Sequence, residues 1–85
     1  MYQKIYDPIS EYEFMEDFTI NLQYEMKRRD VTPRELARRC HISESMVSSY
    51  LNLKRIPSLP TVVNICLGLD LDLEDIIPMQ SFVRK

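Results

Sequence analysis

The sequence predicts an all-α fold of five short helices that follow a short N-terminal arm. Apolar residues recur at every fourth position in the first third of the chain, which is the period of one helix face. Residues that favour helix N-caps precede five successive segments, and these are Ser10, Thr32, Ser43, Ser58 and Asp72. The chain has one glycine among 85 residues, so a fold rich in tight β-turns is not expected. Its length allows one domain, and its 45% hydrophobic content predicts a packed core.

The first helix is predicted from about Glu11 to Arg29, after an arm that spans residues 1–10. Ser10 is a suitable N-cap, and Glu13 three residues later can complete a capping box. The apolar face of this helix consists of Phe14, Phe18, Leu22 and Met26. We expect that face to pack into the core rather than to hold a cofactor.

The second helix has three start signals that agree. Thr32 is a suitable N-cap, Pro33 fits the first helical position, and Glu35 can close a capping box. The residues expected on its buried face are Leu36, Ala37 and Cys40. The basic residues expected to face elsewhere are Arg34, Arg38 and Arg39.

A third helix is predicted to begin only three residues after Cys40, with Ser43 as its N-cap, and to run from Glu44 to about Asn52. Its apolar positions are Val47, Tyr50 and Leu51. The other face carries only polar side chains, which are Glu44, Ser45, Ser48, Ser49 and Asn52. Two short helices joined by a turn of three to four residues form the unit of helix-turn-helix DNA binding. Spacing alone leaves other small bundles open, because many of them contain such corners.

The remainder of the chain predicts two further helices. A basic loop at residues 53–58 leads to a fourth helix capped by Ser58, and Asp72 caps a fifth helix from Leu73 to Ile77 that Pro78 stops. We therefore place one domain at residues 11–78, with the two-helix unit at residues 32–52 and a tail at residues 79–85. The apolar pair of that tail is Phe82 and Val83.

Charge is distributed unevenly along the chain. The total is -2, yet residues 1–26 carry a net -5, residues 27–55 a net +5 and residues 56–85 a net -2. A polyanion responds to the local field, so the basic middle segment is compatible with nucleic-acid binding. The same charges also suit solvated helix faces, and charge alone leaves both interpretations open.

No arrangement of residues predicts catalysis, a cofactor or a metal site. His41 is the only histidine, and Cys40 and Cys66 lack the repeated spacing of zinc ligands. Residues 70–75 are acidic but lack the spacing and the glycine of a calcium loop. The N-terminus has no signal peptide, and no apolar run approaches the roughly 20 residues of a membrane span. We expect a cytoplasmic protein with reduced thiols, no membrane partner and no small-molecule substrate.

The segment TPRELARRCHISESMVSSYLNLKRIPSL resembles the Cro/C1-type (XRE-like) helix-turn-helix repressor family. The matching residues are Thr32, Glu35, Leu36, Ala37, Ile42, Ser43, Val47, Ser48, Lys54, Arg55, Pro57, Ser58 and Leu59. The segment TVVNICLGLDLDLEDII is similar to the family's fourth and fifth helices, so the resemblance covers about residues 19–77. It implies a five-helix lambda-repressor-like DNA-binding domain that acts as a repressor, as a homodimer on double-stranded DNA.

The resemblance also implies which residues contact DNA. The base-contacting positions are Glu44, Ser45 and Ser49, with Ser48 nearby. The phosphate-contacting positions are Thr32, Ser43, Asn52, Lys54 and Arg55, with Arg34 and Arg38 as further clamps. Serine bonds to several bases and glutamate accepts from cytosine, so we expect tolerant direct readout with help from DNA shape.

Several positions depart from the family pattern. His41 and Asp70 replace glycines, so both must adopt a backbone conformation that glycine prefers. Gly68 stands where the family has a small buried alanine inside the fourth helix. The other departures are Pro33 for glutamine, Leu51 for glutamate and Leu53 for glycine.

A second hypothesis is a protein-interaction module of antitoxin or inhibitor type on the same fold. The acidic first helix and the modest base-reading set motivate it. The apolar residues of the arm, together with Phe82 and Val83, are candidate dimer surfaces or covers of the monomer core.

Overall fold

The computed structural model describes residues 8–77 and 79. Over this part of the chain the fold is all-α, with five helices and no strand, as predicted. The helices are α1 (Glu11–Arg28), α2 (Pro33–Cys40), α3 (Glu44–Leu51), α4 (Leu59–Leu69) and α5 (Leu73–Ile76). Three helices are one residue shorter at their C-terminal ends than predicted. Their last predicted residues, Arg29, Asn52 and Ile77, are the C-caps of α1, α3 and α5.

The predicted N-caps begin the helices. The hydroxyls of Ser10, Thr32, Ser43 and Ser58 each accept the backbone N–H three residues later, at 3.1–3.3 Å. Asp72 is the N-cap of α5.

The two capping boxes predicted at the starts of α1 and α2 have different outcomes. The box of Ser10 and Glu13 is complete. The box predicted at α2 is wrong in its second half, because the Glu35 carboxylate lies 3.7 Å from the guanidinium of Arg39. An ion pair one turn along the helix therefore takes the place of the reciprocal cap.

Left-handed residues end the first four helices. They are Asp30, His41, Leu53 and Asp70, with φ between 55° and 58°. At each of them, the N–H of the following residue bonds at 2.8–3.0 Å to a carbonyl five residues back. The predictions for His41 and Asp70 are confirmed. Aspartate and histidine tolerate this conformation better than most residues, so Leu53 is the least suited of the four.

The buried side chains of α1 to α5 form one core. The predicted stripe of α1 is confirmed, with Phe18, Leu22 and Met26 buried and Phe14 half-buried against them. The predicted buried face of α2 is also confirmed, and its residues are Leu36, Ala37 and Cys40. The contribution of α4 is Val62, Ile65, Cys66 and Leu69. Because α2 and α3 share this core with α1 and α4, their relative placement is fixed.

Gly68 lies inside α4 where that helix packs against α2. A Cβ added there would lie 2.7 Å from Sγ of Cys40 and 3.2 Å from the carbonyl oxygen of Arg39. The expectation of a small residue within the helix is confirmed. The space that an alanine methyl needs is taken by the thiol of Cys40.

Some predictions concern residues that lie outside the described part of the chain. The arm is described only from Pro8, and the tail only at Met79. Pro78, Phe82 and Val83 lie outside the described residues. Among the helices of the described part, none is both long and apolar enough to cross a membrane.

Candidate nucleic-acid interface

A tight corner joins α2 to α3. His41 follows α2 with φ 56° and ψ 41°, and Ile42 donates its N–H to the carbonyl of Ala37 at 3.0 Å. Ser43 then caps α3 through its hydroxyl. Ile42 is half-buried against the core, so side-chain packing holds the corner together with the backbone bonds.

The inner face of α3 is anchored to α1. Val47 and Tyr50 are buried, and the ring of Tyr50 makes an edge-on contact with Phe18 at a centroid distance of 6.3 Å. The hydroxyl of Thr19 donates to the carbonyl of Tyr50 at 2.7 Å, in a buried hydrogen bond between helices. Thr19 thereby fixes the end of α3, and sequence reasoning did not identify it. A threonine directly beside a core phenylalanine was the available signal.

The outer face of α3 carries the polar side chains that were predicted to read bases. Glu44, Ser45 and Ser48 are exposed, and Ser49 is half-buried. Asn52, the C-cap, is exposed beside them. At about 100° per residue these five positions span an arc of roughly 140°. The structure therefore brings all of them together on one outward surface, which we call the α3 outer face.

Hydrogen bonds within the α3 outer face orient its side chains. The hydroxyl of Ser49 donates to the carbonyl of Ser45 at 3.0 Å. The amide nitrogen of Asn52 donates to the carbonyl of Ser48 at 2.8 Å and lies 3.2 Å from the hydroxyl oxygen of Ser48. The neighbouring serines Ser48 and Ser49 thus have different internal partners.

The N-cap hydroxyls of α2 and α3 are arranged to give their protons outward. Thr32 accepts the N–H of Glu35, and Ser43 accepts the N–H of Met46, each at 3.1 Å. A hydroxyl that accepts internally keeps its own proton for an external acceptor. Phosphate oxygens are acceptors, so both hydroxyls suit a phosphate contact at a helix N-terminus. At α4 the Ser58 hydroxyl also lies 3.0 Å from that of Thr61, which gives it an internal partner.

Exposed cations flank the α3 outer face. Lys54 and Arg55 follow it in the loop, and Arg38 lies on the preceding α2. Within the described residues, none of these three makes an ion pair within 4.0 Å. Their charges are therefore available to a polyanion.

Arg34 has an acidic neighbour on the next helix. Its Nε lies 3.8 Å from the Glu44 carboxylate, but both side chains are highly exposed, at 87% and 64%. Exposed pairs of this kind contribute about 0–1 kcal/mol, so a phosphate can compete for Arg34. A groove of about 460 Å³ lies between the two helices here. The residues that line it are Arg34, Glu35, Ala37, Arg38, Ile42 and Glu44.

Three other basic residues of the middle segment pair with a carboxylate three or four residues earlier in the chain. Arg28 and Arg29 both lie against the buried carboxylate of Glu25 on α1. Arg39 pairs with Glu35 on α2. The net +5 of residues 27–55 therefore overstates the number of free cations, which concentrate at α2 and the α3–α4 loop.

Neither cysteine has the features of a nucleophile. Cys40 and Cys66 are free and buried. Burial raises the pKa of the Cys40 thiol to about 11, and the nearby Arg39 only partly opposes that effect. Burial also raises the pKa of Cys66, and Asp75 and Asp72 add to the shift. Both thiols are protonated at neutral pH and act as small apolar side chains.

A family model described as the Cro/C1-type HTH DNA-binding domain matches residues 21–80. The chain belongs to the Cro/C1-type HTH family. A search of the curated proteins found no match. The family match begins within α1 and includes α2 to α5, so the resemblance noted in the sequence is confirmed. DNA binding is the activity of this HTH domain. The assignment of the helix-turn-helix unit to α2, the corner and α3 stays a prediction, as do the individual base and phosphate contacts.

Proposed function

We propose that this Cro/C1-type protein is a cytoplasmic repressor of transcription that reads the major groove with the α3 outer face. The observation that carries the proposal is the division of α3 into two faces. Val47 and Tyr50 are fixed in the core, while Glu44, Ser45 and Ser48 are exposed and Ser49 is half-buried. In HTH proteins the second helix of the unit lies in the major groove. These four polar residues are the proposed base contacts.

The proposed phosphate contacts come from two kinds of group. Thr32 and Ser43 offer hydroxyl protons and helix N-termini, which favour anions. The cations Arg34, Arg38, Lys54 and Arg55 offer charge on both sides of the α3 outer face. Contacts of this kind position a protein on the duplex, whereas base contacts supply the sequence specificity.

The salt dependence of DNA binding tests the role of the cationic loop. The probe is a duplex selected by the purified protein from a random library, and the test variant is Lys54→Gln/Arg55→Gln. Each phosphate contact contributes about 0.9 to the slope of log K against log salt. The double variant is expected to lose affinity for all duplexes and to reduce that slope by about 1.8.

A control variant changes the net charge by the same amount at exposed positions of α1 and α4. It is Gln23→Glu/Asn64→Asp, which also makes the protein more negative by two charges. The control is expected to keep a slope close to that of the wild type, because its positions lie outside the proposed interface. Equal effects of the two double variants would show that overall charge governs binding, and would contradict the proposed phosphate contacts.

A homodimer is part of the proposal. A single DNA-binding module buries only about 600–1,000 Å², which is small for tight specific binding. On α4, Leu59, Val63 and Leu67 form an exposed apolar stripe at a spacing of four residues, with exposures of 65%, 44% and 75%. Since α4 has no charged residue, this stripe is compatible with a second copy of itself. The variant Leu67→Glu should shift the protein toward the monomer in sedimentation equilibrium. Ile20→Glu changes an exposed residue of α1. If only Ile20→Glu shifts the protein toward the monomer, the dimer contact lies on α1 and not on α4.

A protein-interaction module of antitoxin or inhibitor type is the second candidate. The exposed apolar residues of the acidic α1 favour it, and these are Tyr12, Ile20 and Tyr24. A purified complex with a protein partner that retains no DNA at moderate salt would support this candidate over the repressor. Retention of selected duplexes by the isolated protein would support the repressor.

A further inference from the structure

A serine hydroxyl has one proton and two lone pairs, and its internal hydrogen bonds decide which of them remain for a base. If the hydroxyl accepts one hydrogen bond within the protein, its proton and its second lone pair both remain. If the hydroxyl donates within the protein, only its lone pairs remain for the base. The two neighbouring serines of the α3 outer face differ in this respect.

Ser48 keeps both a donor and an acceptor. The amide nitrogen of Asn52 lies 2.8 Å from the carbonyl oxygen of Ser48. A carbonyl only accepts, so this contact fixes which end of the Asn52 amide faces Ser48. The same nitrogen lies 3.2 Å from the Ser48 hydroxyl oxygen, which accepts from it. The proton of Ser48 and its second lone pair then both remain for a partner in the groove.

Ser49 is arranged as an acceptor. Its hydroxyl donates to the carbonyl of Ser45 at 3.0 Å, which leaves its lone pairs for an external donor. Reading an acceptor on the DNA would require Ser49 to give up this internal bond. Loss of such a bond corresponds to a discrimination of about threefold to tenfold.

The four bases also differ in the donors and acceptors that they present in the major groove. Adenine and cytosine present an amino group in the major groove, and cytosine is the only base that presents no acceptor there. We infer, on the basis of the proposed repressor function, that Ser49 selects a base with an amino group, whereas Ser48 can pair with a donor or an acceptor and imposes no such preference.

The amide nitrogen of Asn52 lies near two oxygens of Ser48, its carbonyl and its hydroxyl. The phosphate contact predicted for Asn52 from the sequence stays a prediction.

The experiment measures the affinity of the wild type and three variants for every single-base change of a selected duplex. Ser49→Ala should remove the preference for a base with an amino group at one base pair while the other preferences stay. Ser49→Thr, which keeps the hydroxyl, should retain that preference. Ser48→Ala is the matched control on the neighbouring residue, and it should leave that preference in place.

The result that overturns the inference is an unchanged base profile in Ser49→Ala. A uniform loss of affinity for all duplexes in Ser49→Ala would overturn it as well, since a phosphate contact would produce it. Thermal melting of each variant verifies that the fold is kept. Failure of the wild type to prefer any duplex would instead overturn the proposed function, and the two failures are therefore distinguishable.

Discussion

Replacing Gly68 with alanine brings two opposing effects together inside α4. Alanine favours a helix interior by about 1 kcal/mol over glycine. The new methyl group, however, would lie 2.7 Å from Sγ of Cys40 and 3.2 Å from the carbonyl oxygen of Arg39. Cys40 is fully buried and Arg39 contributes backbone, so neither neighbour moves aside easily. Overpacking of this kind costs about 1–3 kcal/mol. We expect Gly68→Ala to lower the free energy of unfolding by up to about 2 kcal/mol.

Thermal and urea denaturation measure this change. For a domain of this size, a loss of 1 kcal/mol lowers Tm by about 4–8 °C. Asn64→Ala is a matched control, because Asn64 is exposed on the same helix and its replacement raises helix propensity without a new contact. The control should be stabilised by a few tenths of a kcal/mol, on the order of the propensity difference.

A double-mutant cycle identifies the atom responsible. In a Cys40→Ala background the sulfur is absent, so Gly68→Ala should be less destabilising there, with a coupling of about 0.5–3 kcal/mol. An equal effect of Gly68→Ala in both backgrounds, or stabilisation of the wild type by the full helix-propensity gain, would show that the Cys40 thiol does not restrict residue 68.

Three further perturbations test the helix ends and the core. His41→Gly should raise the free energy of unfolding by about 0.5–1 kcal/mol, because His41 is exposed and adopts a left-handed conformation; a lower urea midpoint would argue against this. Thr32→Ala should cost about 1 kcal/mol and weaken DNA binding, whereas Thr32→Ser keeps both the cap and the external proton; equal binding by the two variants would contradict the phosphate role. Burial raises the pKa of Cys40 to about 11, so the folded state holds this proton more tightly than the unfolded state. That stabilisation is complete below about pH 8.5 and declines as the pH rises to 11, and the decline should be shallower in Cys40→Ala.

The helices of this protein are predictable from short-range patterns. Ser10, Thr32, Ser43 and Ser58 cap helices because each bonds to a backbone N–H only three residues away. Local propensity alone would assign Gly68 to a helix end. The family resemblance instead predicts that Gly68 lies within a helix.

The details that position the site depend on contacts between distant residues. The bond from Thr19 to Tyr50 joins residues 31 positions apart. The position of Thr19 beside Phe18 indicates that Thr19 lies near the core, but it does not indicate the partner. The direction of the Asn52 amide follows from the three-dimensional placement of Ser48. The apolar residues of α4 occur on more than one face, so the sequence did not show that Leu67 would be exposed.

We propose that the α3 outer face and its flanking cations form the surface that contacts DNA. NMR of the backbone amides, recorded while the isotopically labelled protein is titrated with a selected duplex, measures which residues lie at that surface. We expect the largest shift changes at residues 43–55 and near Thr32, with small changes at Tyr24 and Leu67. Shift changes concentrated at Tyr24 or Leu67, with residues 43–55 unaffected, would contradict it.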